Sequence, residues 1–295
     1  MMRNSVKDKL LEGFSWMSAL LLTAGLTLII GFLIIKGAPA LNKELIFSDT
    51  SILDALLLKR QVFDGLFPAM AGTFFLVLIS VGIALPLGLS TGIWLAEYAP
   101  MSLKKIFSFI IDILAGIPSI IVGLFGFSMT VFLHHYYDNR IFPCLLISAL
   151  SLAFLVLPYI IKTTQGAIES IPIHIRMTAP SLGASKIENI IYVLLPSSLS
   201  DIFSGIVLAI GRCAEDTAVI MLTGVVATAG VPKSVFSSFE ALPFYIYYTA
   251  AEYADHSELI KGYGAALILL FICSGLFIIA HAIKYRINHK VKFKH

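Results

Sequence analysis

The stretch Arg176–Ala218, RMTAPSLGASKIENIIYVLLPSSLSDIFSGIVLAIGRCAEDTA, joins a polar helical loop to an apolar run that contains charges, and the rest of the chain is organised around it. In its first half a polar run surrounds Gly183 and ends at Leu195-Pro196, a pattern that predicts a helix, a sharp turn at Gly183 and a second short helix. Pro196 disfavours helix at the residue before it, so a fresh helix is expected to start there, with Ser197, Ser198, Ser200 and Asp201 as capping candidates. In its second half the run from Ile202 to Thr228 is apolar except for Arg212, Glu215 and Asp216. Each such charge costs about 2.5–3.5 kcal/mol at the centre of a membrane helix, so the three are expected to pair and to face inward. Arg212 and Asp216, four apart, share a helix face, and Glu215 lies beside them. The other reading of the cluster is a helix end among lipid headgroups, or charges that serve only to hold helices together. Ten residues of span precede Arg212, about 15 Å of helical rise, which places it at mid-membrane depth.

Composition sets the class. The chain is 58% hydrophobic and 13% charged, whereas a soluble domain carries about 25% charged residues. This is the composition of a membrane protein. Cys144, Cys213 and Cys273 lie far apart inside apolar runs, form no metal-ligand pattern and read as packing residues.

From the N-terminus, basic Arg3, Lys7 and Lys9 precede an apolar run from Phe14 to Ile35, too long for a signal sequence and without a small-residue cleavage site, hence an uncleaved first span. Lys36 to Phe67 is charge-balanced and reads as an outer polar loop with short helices. A second span covers Pro68 to Ala96; it is interrupted by Pro86, and its Gly88 and Gly92, four apart, have the spacing that lets helices approach closely. The third, Ile106 to about Leu133, contains Gly116-Ile117-Pro118-Ser119, which predicts a kink. Its Asp112 is either interfacial or a pathway residue. His134-His135 is no metal pair, since adjacent side chains diverge and no third ligand is spaced to join them. Phe142 to Ile161 is the fourth span, Ile202 to Thr228 the fifth and Tyr263 to Ile283 the sixth. Between the last two lies a net acidic loop with Glu240, Glu252, Asp255 and Glu258, and Lys284, Arg286, Lys290, Lys292 and Lys294 form a basic tail. Six spans put both termini on one side. Lys104-Lys105, the Lys162–Lys186 loop and both basic termini then share the cytoplasmic side, as the positive-inside trend requires.

The chain carries no phosphate-binding G-x-x-x-x-G-K-[ST] loop, no zinc-ligand spacing and no G-x-S-x-G elbow. A membrane protein without an engine of its own conducts passively, couples to an ion gradient or receives work from a partner. A cytoplasmic loop of some size between spans four and five favours the partner.

Ala179, Gly183, Leu195 and Pro196 match the spacing E-A-A-x3-G-x9-I-x-L-P of the loop by which permease subunits of ABC importers dock into their ATPases, with Met177 in place of the leading Glu. Further stretches narrow the resemblance: Pro68-Ala69-Met70-Ala71-Gly72-Thr73, Ala84-Leu85-Pro86-Leu87-Gly88, Leu95-Ala96-Glu97-Tyr98-Ala99, Gly116-Ile117-Pro118-Ser119, Gly211-Arg212 through Asp216-Thr217-Ala218, and Leu242-Pro243-x-x-Ile246-Tyr247. The chain resembles the phosphate ABC-importer permeases over about residues 37–285, and its length and the Thr217-Ala218 ending favour the PstA type over the PstC type. This implies an all-α membrane protein with the type I ABC importer permease fold: six transmembrane helices and a cytoplasmic coupling-helix loop. Residues 1–15 would be a cytoplasmic N-terminus, 16–285 the permease domain with the coupling loop at about 166–200, and 286–295 a basic cytoplasmic tail. In the family the fifth-span motif reads G-R-A-x-G-E-T and its arginine is implicated in phosphate passage. The implied pathway residues are Arg212, Glu215, Asp216 and Thr217, with Asp216 where the family has Glu and Glu215 where it has Gly, an extra carboxylate beside an anion route. The implied partners are a homologous PstC-type permease, two PstB-type ATPases, a PstS-type extracytoplasmic phosphate-binding protein and membrane lipid, with no nucleic acid. ATP and Mg would be bound by the ATPases and no cofactor by this chain, in an inner membrane with both termini cytoplasmic. The alternatives are a permease for another oxyanion, sulfate or molybdate, and an ion-coupled secondary transporter or channel.

Overall fold

The computed structural model describes residues 3–48, 50, 51, 54, 62 and 65–292. Much of the loop expected between Lys36 and Phe67, and the end of the basic tail, lie outside the described residues. Among the described residues the chain is almost wholly helical, and six helices are long and apolar enough to cross a membrane. Helix α1 spans Arg3–Gly37 and α2 Lys43–Phe47. Helix α3 spans Phe67–Glu97 and runs through Pro86 without a break. The third apolar run is split rather than merely kinked, into α4, Met101–Ala115, and α5, Ser119–Tyr136, on either side of Gly116-Ile117-Pro118. Helix α6 spans Leu145–Glu169, two turns beyond the expected end at Ile161, because nothing in Lys162-Thr163-Thr164-Gln165 breaks a helix before Pro172.

Three short helical pieces follow: α7, Ile173–Arg176, α8, Thr178–Ser181, and α9, Lys186–Asn189. A π-helical turn, Ile190–Leu194, leads directly into α10, Leu195–Glu215. The fresh helix start expected at Pro196 is therefore overturned. The Leu195 N–H bonds back to the Ile190 carbonyl, five residues earlier. The wider turn lets Pro196, which has no N–H to offer, sit inside a continuous helix. Ser197 and Ser198 do not cap it; their hydroxyls donate back to the carbonyls of Val193 and Leu194. The N-cap lies earlier, at Ser185, where Ser185 and Glu188 form a reciprocal capping box. Helices α11, Ala218–Thr223, α12, Leu242–Glu252, and α13, His256–Lys292, complete the chain.

The core lies where α3, α5, α6, α10 and α11 meet, around fully buried Leu76, Leu152, Ile160, Ala209 and Ile220. Gly88 and Gly92 pack as their spacing predicts: a methyl on Gly88 would come within 2.6 Å of Ile160, and one on Gly92 within 2.6 Å of Thr164. Helix α1 stands apart, touching α13 near their outer ends, where Phe32 meets Tyr263 edge to face.

Candidate functional site

Helix α10 is two-faced. Ser198, Ile202, Gly205, Ala209 and Cys213 recur at helical spacing and are buried, with Gly205 against Thr163 of α6. The opposite face, Ser197, Asp201, Ser204, Leu208 and Glu215, is exposed. A largely polar stripe on a membrane helix has to meet water or another chain, because lipid cannot satisfy it.

The stripe ends at a break in the helix. At Asp216 the backbone turns extended, with φ −75° and ψ 115°. The chain then re-enters helix as α11, which stops at Gly224, where φ is +152° and the nitrogen of Cys144 lies 2.5 Å from where a Cβ would stand. A side chain at that position would collide with backbone. Cys213, three residues before the break, packs beside Ser80, close to the midpoint of α3. The expected unbroken helix from Ile202 to Thr228 does not form.

That break sorts the three charges. Arg212 occupies the last turn of α10, at the negative end of the helix dipole. Its Nη1 donates to Glu215 Oε1 at 2.8 Å, and the two side chains are 37% and 61% exposed. Asp216 does not join them. It is buried, and its Oδ1 accepts the Val219 N–H at 2.8 Å, so it caps α11. The expected shared face of Arg212 and Asp216 fails because the helix ends between them. Thr217 is half-buried and starts α11, its carbonyl accepting the Met221 N–H at 3.0 Å. Asp112 lies on α4 and pairs with Lys162 of α6, well away from Arg212 in the chain.

The loop between α6 and α10 forms the turn its sequence predicts. Gly183 adopts φ +88°, and the Ala179 carbonyl accepts the N–H groups of both Leu182 and Ala184. Leu195 and Pro196 are half-buried at the head of α10, behind an apolar cluster of Ile168, Ile171, Ile190 and Leu194. The loop is fastened to the membrane domain by residues that reading the sequence alone did not assign. Arg176 pairs with Glu97 at the end of α3, and Asn189 Nδ2 donates to the Arg176 carbonyl at 3.0 Å. Lys186 lies 4.4 Å over the Tyr98 ring, and Lys104 pairs with Glu169 at 2.6 Å. Glu97-Tyr98 stood among the motif residues and Ser185-x-x-Glu188 is a legible capping box, so part of this fastening was signalled. Held by it, Ile173, Leu182, Ile187 and Tyr192 project outward, Leu182 at 85% exposure. Such a patch on a polar loop marks a protein-docking surface.

Residues 84–293 match the family model described as the binding-protein-dependent transport system inner membrane component. The chain belongs to that family. It is an integral inner-membrane component of a transport system. The permease is 32% identical to the phosphate transport system permease protein PstA of Haemophilus influenzae, over 92% of each chain. It is 30% identical to the PstA protein of Pasteurella multocida, over 90% of this chain and 91% of that one. Its fold is similar to that of the MetNI methionine ABC transporter, with a TM-score of 0.56 and 18% identity over 81% of this permease and 99% of that chain. This is the type I ABC importer permease architecture expected from the sequence.

Proposed function

We propose that this chain is the PstA-type transmembrane permease subunit of an ATP-driven importer that moves inorganic phosphate across the inner membrane. The observation that carries this reading is the Arg212–Glu215 ion pair at the end of α10, in line with that helix's polar stripe, with the two side chains 37% and 61% exposed. A guanidinium there offers an oxyanion charge-assisted hydrogen bonds. The PstA relatives supply the substrate class. An ion pair this exposed contributes about 0–1 kcal/mol, so an arriving phosphate can displace Glu215 from the guanidinium, and Glu215 can reclaim it as the anion leaves. Asp216 holds the break in place, and Thr217 follows it beside the route.

The exposed stripe is one wall of a path, and a homologous PstC-type permease supplies the other. Two PstB-type ATPases, which bind ATP and Mg, seat on the outward face of Leu182, Ile187 and Tyr192. The turn formed by Ala179 and Gly183, with Leu195 and Pro196 behind it, passes their movement to α10 as one stiff piece. A PstS-type binding protein delivers phosphate from outside. Both termini lie in the cytoplasm, with the basic tail near lipid headgroups. The test is phosphate uptake by the reconstituted complex carrying Arg212→Gln, Arg212→Lys and Glu215→Gln at matched complex levels. Arg212→Gln should lose most uptake, Arg212→Lys should be intermediate because the planar fork is gone, and Glu215→Gln should bind phosphate longer. Normal uptake by Arg212→Gln refutes the reading.

A further inference from the structure

A groove of about 740 Å³ runs between α10 and α13, toward the N-terminal end of α10 from Arg212, lined by Ser204, Val207, Phe277, His281 and Lys284 among others. Its upper wall reaches the charged site: Phe277 lies 3.0 Å from where a Cβ on Gly211, the residue before Arg212, would stand. Within it, Lys284 Nζ donates to Ser204 Oγ at 2.9 Å. Ser204 belongs to the exposed stripe of α10 and precedes Arg212 by eight residues, which is about 12 Å along the helix.

We propose that Lys284 is a second oxyanion contact on the phosphate route, at its cytoplasmic mouth, held toward the route by Ser204. The inference rests on the function proposed above and extends the same path.

Three observations support it. A side chain on a helix leans toward that helix's N-terminus, which for α13 is the extracytoplasmic end, so Lys284 reaches back toward the membrane rather than away from it. The hydroxyl it meets uses one of the ammonium's three donors, and among the described residues no carboxylate pairs with it. The groove gives it open space beside the stripe. Chemically, a lone cation at mid-depth would hold an anion until it escaped across a low-dielectric gap. A second, weaker site one step further on lowers that gap, as conduction through any selective path requires. An ammonium, a strongly hydrated point charge without a planar fork, suits a release station better than a guanidinium does.

The test uses the full complex in liposomes, with inorganic phosphate as the transported probe and Lys284→Gln, Lys284→Arg, Ser204→Ala and Arg212→Gln compared at equal incorporation. Lys284→Gln should slow phosphate uptake about tenfold, the worth of one charge-assisted hydrogen bond, while stimulation of ATP hydrolysis by the loaded binding protein stays within about twofold of wild type. Lys284→Arg should retain most uptake, and Ser204→Ala, which removes the hydroxyl and leaves the cation, should lose less than Lys284→Gln. The defect should be the same in vesicles of neutral and of anionic lipid. Normal uptake by Lys284→Gln overturns the proposal. So does a Ser204→Ala defect as deep as that of Lys284→Gln, which would make the pair a packing strut between helices. A defect confined to anionic vesicles also overturns it, assigning the lysine to lipid headgroups. If Arg212→Gln loses uptake while Lys284→Gln does not, only this inference fails; if Arg212→Gln also transports normally, the functional reading fails with it.

Discussion

Substitutions at Asp216 test whether its carboxylate acts by its charge or by shaping the backbone. The residue is 6% exposed, and Oδ1 accepts the Val219 N–H at 2.8 Å where α11 begins. Asp216→Asn removes the charge and keeps a side-chain oxygen in the same place. Asn caps helices about as well as Asp, so the cost should be limited to the lost helix-dipole interaction, about 0.3–1 kcal/mol. Asp216→Ala removes the acceptor and should cost about 0.5–2 kcal/mol, with the Val219 N–H left unsatisfied in a site that water reaches poorly. Thermal unfolding of the purified complex and phosphate uptake at matched levels separate the two roles. The expected order of stability is wild type, Asn, Ala, with Asn transporting close to wild type. If Asp216→Asn loses uptake as fully as Arg212→Gln while remaining stable, the carboxylate works by its charge on the route and the capping argument is wrong.

Packing, coupling and the outer loop give three further expectations. Gly92→Val would press on Thr164 and the Ile161 carbonyl and should destabilise the complex by about 1–3 kcal/mol; Gly82→Val, which meets nothing within 4 Å, should not, and equal thermal stabilities would contradict the α3–α6 packing. Gly183→Val has open space but the wrong φ, a strain of about 1–2 kcal/mol, so ATPase co-purification should weaken while membrane insertion stays normal, and unchanged co-purification would count against a rigid turn. Glu240, in the segment before α12, is buried and accepts the N–H groups of Ala229 and Gly230, both at 2.8 Å. Burial pushes its carboxyl above the ordinary glutamate value, against those two bonds. The folded state then holds its proton more tightly than the unfolded one, so stability should fall as pH rises from the ordinary glutamate range through the raised value. Glu240→Gln keeps an acceptor and should flatten that slope; a slope unchanged in Glu240→Gln would assign it to other groups.

The six crossings were legible because long apolar runs separated by charges leave little choice in a bilayer. Gly183 was legible because a lone glycine in a polar helical run marks a turn, and Gly88-x-x-x-Gly92 because small residues one turn apart mark a contact. The break at Asp216 was hidden by the apolar run itself. Ala218 to Thr223 continues it without Gly or Pro, so nothing separated an Asp that ends one helix and caps the next from an Asp on a helix face. For the same reason Arg212 could pair three or four residues onward, and only the position of the helix end chose Glu215. Pro196 misled because the rule for the residue before proline assumes α-helical spacing, which the π turn at Ile190–Leu194 relaxes. The ion pair that fastens the loop was illegible for a different cause. Glu97 and Arg176 are 79 residues apart, and no local pattern pairs residues across that distance.

The central claim is that this permease passes phosphate from a binding protein to the cytoplasm at the expense of ATP. The most direct measurement is accumulation of labelled phosphate in liposomes containing the chain with its permease partner and ATPase, with ATP on the ATPase side and the loaded binding protein on the other, repeated with sulfate and molybdate. The account predicts concentrative phosphate uptake that stops without ATP or binding protein, and little uptake of the other two anions. Uptake that needs neither ATP nor binding protein, or a preference for sulfate or molybdate over phosphate, would contradict it.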